Sequence, residues 1–177
     1  MNELNSFSRW VYLLQQVHEA RYYIARAEEL GHPHLWTSYE AILEFLAHFR
    51  GAINAYAKCF VSAGAGRKRL EISSVFGTDT PLIEKHRKII DLRHKYVSHS
   101  DENEFESVVM SKNESAEELV IHLEYNLSFP FDRLYDVQEL IRLVEQHVVD
   151  AQQSHIAAMA RRLGKPVRVQ EGANGGL

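Results

Sequence analysis

The chain predicts an all-α fold: a four-helix up-down bundle with a small β-hairpin inserted between helices 3 and 4. Three observations carry that expectation. Four segments repeat apolar residues at the three-to-four spacing of an amphipathic helix. The stretch between the third and fourth abandons that period for alternation. Breaks containing Gly, Pro and polar residues separate the segments. With 177 residues, one domain can bury roughly two-thirds of its unfolded surface without a metal or disulfide. The domain is expected to span residues 1–163, followed by a Gly-rich, polar and disordered tail over 164–177.

Asn5 or Ser6 can cap a first helix that reaches about Leu30. Trp10, Leu13, Leu14, Val17, Ile24 and Ala27 form its stripe, and Gly31 with Pro33 ends it. His18, on the flank of that stripe, reads as a packed histidine. Thr37-Ser38-Tyr39-Glu40 has the form of a capping box. The second helix it opens runs to about Ser62 through Ile42, Phe45, Leu46, Phe49, Ile53, Tyr56 and Phe60. The Tyr56 ring belongs inside, its hydroxyl on a polar partner. Residues 63–79 have no clear period and read as a loop. Gly64 and Gly66 lack the Walker spacing, and no strand precedes them.

Thr80 and Pro81 suit the N-cap and first turn of the third helix. At about 100° per residue, Leu82, Ile89, Ile90, Tyr96 and Val97 share one stripe, with Ile83 and Leu92 at its margins. Glu84, Arg87, Lys88, Asp91 and Lys95 lie opposite. His86 and Arg93 fall in the middle of the apolar stripe. Beyond Asp101, Phe105 to Met110 and Leu119 to Tyr125 read as strands, with Lys112-Asn113-Glu114-Ser115 as the turn. So short a hairpin has to lie on the bundle or pair with another chain. Asp132 caps the last helix, which passes through Leu134, Val137, Leu140, Ile141, Val144, Val148, Ala151 and Met159 to about Leu163. At roughly 45 Å it exceeds what a compact bundle needs, so Gln152 to Arg162 is expected to project toward a second subunit.

Several function classes recede on composition. Cys59 is the only cysteine, which rules out an intrachain disulfide and suits a reduced, buried thiol in a cytoplasmic protein. No basic-then-apolar leader is evident, and no run approaches the ~20 apolar residues of a membrane span. The ten histidines form no His-Glu-x-x-His, Cys-x2-Cys or helical Glu-x-x-His pattern, and His32 and His34 lack a third ligand. No metal and no cofactor are expected. The net charge of −4 argues against indiscriminate binding to phosphate backbones, yet it hides a gradient. Residues 65–99 carry eight Lys or Arg against four acidic residues; 101–119 carry seven acidic residues against Lys112 alone.

An arginine turned inward needs a partner, because an unpaired buried charge costs several kcal/mol or more. Glu40 and Glu44, which share a face with His48, are the candidates for Arg93. His99 follows six residues later. The stretch Asp91-Leu92-Arg93-His94-Lys95-Tyr96-Val97-Ser98-His99-Ser100 resembles the Arg-x4–6-His motif of the HEPN superfamily, with polar His94 directly after the arginine. Those are small helical bundles, many of them metal-independent ribonucleases that act as dimers.

The resemblance implies catalysis by Arg93 and His99, supported by His94, Tyr96 and Ser98, with Tyr96 also suited to the core. It implies RNA, single-stranded, as substrate, and a homodimer that apposes two motifs. Arg67, Lys68, Arg69 and Lys95 are the candidate phosphate contacts. Many members belong to toxin–antitoxin or phage-defence systems, which implies an antitoxin or nucleotidyltransferase partner. The alternative is a non-catalytic HEPN-like binding or regulatory protein that keeps Arg93 in a structural ion pair. The acidic stretch after Ser100 and the net negative charge favour that alternative.

Overall fold

In the computed structural model, the residues described are 3–32, 35–36, 38–61, 69–94, 106–127 and 132–170. They form a mainly α fold carrying one antiparallel hairpin, in the order α1 (Glu3–Glu29), α2 (Tyr39–Lys58), α3 (Ile72–Phe76), α4 (Thr80–Leu92), β1 (Glu106–Glu114), β2 (Leu119–Leu127) and α5 (Asp132–Leu163). Among the described residues, no helix is long and apolar enough to cross a membrane.

Helix α1 occupies the centre because two of its faces are apolar or small. Leu13, Val17, Ala20, Ile24 and Ala27 are buried, and α1 packs along both α2 and α5. From α2 come Phe45, Phe49, Ala52, Ile53 and Tyr56; from α5 come Val137, Leu140, Val144 and Val148, all at most 1% exposed. The α1–α2 approach is close enough that a Cβ built on Gly51 would lie 2.9 Å from Cδ2 of Tyr23. The expected projection of α5 does not begin at Gln152. The first turns of α1 accompany it, and the Phe7 ring stacks on His155 at 5.8 Å.

Helix α1 is already formed at Glu3, so Asn5 and Ser6 lie within it rather than capping it, and three further local expectations shift. The cap of α2 is Ser38, whose Oγ accepts from the Ala41 N–H at 3.3 Å, while Thr37 lies outside the described residues. Helix α4 is capped one residue early, by Asp79, whose Oδ1 accepts from the Leu82 N–H at 3.1 Å; Pro81 still falls in the first turn. Within the expected loop, Ile72–Phe76 forms α3, too short to display a period, and Phe76 anchors it in the core. The motif helix is therefore α4 rather than the third helix.

The hairpin forms where alternation predicted it, but its turn sits further along. Lys112, Asn113 and Glu114 remain in β1, paired with Ile121, Val120 and Leu119. The reversal uses residues 115–118, where the Ser115 hydroxyl accepts from the Glu117 and Glu118 N–H groups at 3.2 and 3.1 Å. The register places Met110, Leu119, Ile121 and Leu123 on one face beside Lys112 and Glu114, and the four apolar side chains are 54–72% exposed. The helices do not cover them.

Two substitutions gauge the core. Phe49→Ala should cost about 3–5 kcal/mol, and Gly51→Val about 2 kcal/mol by overpacking against Tyr23. Urea unfolding followed by circular dichroism measures both.

Candidate functional site

The candidate site is built on α4, whose rotation is set on two sides. His86, 2% exposed, lies between the Phe60 and Phe76 rings, at centroid separations of 4.4 and 5.6 Å. Its Nδ1 is 2.7 Å from the Tyr56 hydroxyl. The preceding residue, Lys85, reaches α5, with Nζ 2.6 Å from Glu139 Oε2 and 3.0 Å from Asp136 Oδ1. Hydrogen bonds to those two carboxylates hold the Lys85 ammonium above its ordinary pKa.

Burial controls the chemistry of the Tyr56–His86 pair. Loss of water, aided by the nearby Arg87 charge, depresses His86 to about 4. Burial likewise pushes the Tyr56 phenol far above its usual range. The pair is therefore a neutral imidazole hydrogen-bonded to a neutral phenol at ordinary pH, enclosed by rings. It can lock α4 to α2, but it cannot exchange protons with a substrate in bulk solvent. Periodicity turned both residues inward; nothing in the sequence announced that two residues thirty positions apart would meet. Cys59 is buried too, and burial raises its thiol to about 12, which makes it a poor nucleophile.

Arg93 follows the phase of His86, seven residues earlier. It is the C-cap of α4, where its backbone N–H reaches the carbonyls of Ile89 and Ile90, and the chain enters a π-type turn at Arg93 and His94. Its side chain is half-buried and Nε is shielded from solvent, next to buried Leu92. His94 is exposed. His99, Tyr96, Ser98 and Lys95 lie outside the described residues, as do Arg67 and Lys68.

Glu44 and Glu40, the carboxylates expected for Arg93, each have a contact close by along the chain. Glu44 faces His48 Nε2 at 3.7 Å. Glu40 stands exposed in the first turn of α2, its carboxyl held below the usual range by its own backbone N–H and by the Ser38 hydroxyl. Arg69 is exposed, with Nε 3.8 Å from Glu71, and its carbonyl accepts from Arg9 at 2.9 Å. Among the described residues, no three His, Cys, Asp or Glu side chains gather at metal-binding range. His32 is exposed, and His34 lies outside the described residues.

No known family, no curated protein and no solved structure matches this chain.

The His86 environment sets an acid dependence. The unfolded chain binds a proton at His86 near pH 6.5, whereas the folded chain resists it until about 4. Stability should therefore be fully present above pH 6.5 and fall on acidification through that window, by roughly 3 kcal/mol at its lower end. Comparing urea midpoints of wild type and His86→Phe at pH 7.5 and 4.5 isolates the contribution: the variant should lose markedly less stability on acidification.

Proposed function

We propose that this chain is a metal-independent RNA endonuclease of the HEPN type, acting as a cytoplasmic homodimer, and that it serves as a toxin or phage-defence component. In this reading α1, α2, α4 and α5 make the four-helix up-down bundle, and α3 is an added turn. The observation that supports it best is the position of Arg93. A half-buried arginine closes the motif helix on the same side as buried His86, six residues before His99. Widened π-type turns recur at functional sites, and one begins at Arg93.

The chemistry divides between two side chains. The guanidinium of Arg93 holds the scissile phosphate through charge-assisted hydrogen bonds and stabilises the charge that grows on it. The His99 imidazole removes the ribose 2′-hydroxyl proton or protonates the leaving 5′-oxygen. The 2′-oxygen bonds to phosphorus as the 5′-oxygen leaves, giving a 2′,3′-cyclic phosphate and a 5′-hydroxyl. One motif supplies a single acid–base group, so the second copy's motif completes the pair. His94, Tyr96 and Ser98 support the site. Arg67, Lys68, Arg69 and Lys95 meet the phosphates of a single-stranded RNA, and an antitoxin or nucleotidyltransferase partner restrains the activity.

One observation favours a second reading, a binding or regulatory HEPN-like protein without catalysis. The exposed loop that joins β1 to β2 carries Glu117 and Glu118, and Glu114 flanks it, so the hairpin end repels a polyanion. In that case Arg93 serves as a structural cation.

Incubation of mixed RNA in EDTA separates the two. The nuclease should produce cyclic-phosphate ends, and His99→Ala or Arg93→Ala should lower the rate by at least about 100-fold at unchanged thermal stability. Absence of cleavage, together with a loss of about 3–5 kcal/mol in Arg93→Ala, would establish the structural role.

A further inference from the structure

The exposed edge of β2 is matched to itself. Within the described residues the sheet has two strands, so the side of β2 away from β1 has no strand beside it. The Ser115 N–H donates to the Glu118 carbonyl at 2.9 Å, and pairing alternates from there. The even-numbered residues of β2 thus turn their backbone groups toward β1, and the odd-numbered ones turn theirs outward. Natural edge strands are usually blunted by Lys, Pro or a bulge. Across its nine residues, Leu-Val-Ile-His-Leu-Glu-Tyr-Asn-Leu, β2 contains no Lys, Arg or Pro, and its ladder with β1 is unbroken.

We propose that β2 pairs antiparallel with β2 of a second copy about a two-fold axis at Leu123, making a four-stranded sheet β1-β2-β2-β1. The occupant follows from complementarity along the strand. Reversing β2 about Leu123 sets Leu123 opposite its own counterpart, with the exposed apolar side chains of Ile121 and Leu119 following it along the same face. On the other face His122 comes opposite Glu124 of the second copy, and the axis repeats that pair. Aliphatic cross-strand pairs stabilise antiparallel strands, and an imidazole facing a carboxylate is a complementary polar pair. An isologous interface requires just this self-matching. Met110 of each copy stays one strand away from the seam, on the same face.

Sedimentation velocity of the full chain tests the pairing, with no dependence on RNA cleavage, so failure of the nuclease proposal leaves this one standing or falling separately. Wild type should sediment as a dimer. Leu123→Lys sets two ammonium groups against each other on the axis and should weaken association by about tenfold or more. The fold of each chain should hold, read as an unchanged far-UV circular dichroism spectrum, since Leu123 is already 54% exposed. Met110→Lys should remain dimeric. Under mild oxidation Leu123→Cys should give a covalent dimer, because directly paired Cα atoms lie about 5.5 Å apart. Met110→Cys should not, its two copies being roughly 14 Å apart across three strand spacings. The native thiol does not interfere, because Cys59 is buried. A monomeric wild type, a Leu123→Lys dimer of unchanged affinity, or equal crosslinking at both positions would overturn the proposal.

Discussion

The Tyr56–His86 hydrogen bond is the constraint on which the candidate site depends. Helix α4 buries only His86, Ile89 and Leu92 fully, with Leu82, Ile83 and Ile90 partly buried against the core, and apolar contacts alone tolerate rotation about a helix axis. A 2.7 Å hydrogen bond between two enclosed polar groups does not. Breaking it would leave a phenol and an imidazole among phenylalanine rings without partners, at a cost of about 1–3 kcal/mol. With His86 fixed toward α2 and Lys85 tied to α5, Arg93 is carried to the same side of α4 two turns later. The inward direction of Arg93 thus follows from the phase that a neutral buried pair sets on α4.

A second consequence concerns the connection that leaves α4. The chain passes from Arg93 and His94 through the stretch holding His99 into β1, and returns from β2 to α5 close to the residues that grip Lys85. The hairpin is therefore joined at one end to the motif and at the other to the helix that orients it. Its apolar face stands open to solvent while the helical core is closed around α1. Burial in this fold is concentrated in α1, α2 and α5, and the candidate site lies at their periphery.

The alternation and periodicity of the chain made much of this legible. The inward phase of His86, the inside placement of Tyr56, the stripes of α1, α2 and α5 and the hairpin's location all follow from repeat lengths of two or about 3.6 residues. Errors gathered where polar residues offered two equivalent choices. Asp79 and Thr80 can each cap a helix before Pro81, and the aspartate took the role. Lys112 to Glu114 looked like a turn because they are polar; on a solvated strand polar residues are equally at home, and Ser115 closes the reversal by accepting two N–H groups. Helix α3 leaves no period in the sequence because five residues hold barely more than one turn.

By itself the sequence determined which face of each long helix is apolar, where helical spacing gives way to alternation, and that Arg93 and His86 share a direction on α4. These depend on neighbours a few positions apart. Only the tertiary structure decided that α1 lies between α2 and α5, that Tyr56 is the partner of His86, that Lys85 bridges to Asp136 and Glu139, and that the hairpin's apolar face stays uncovered. Each of those outcomes joins, or keeps apart, residues separated by tens of positions. Spacing along the chain sets a side chain's direction but not what it meets.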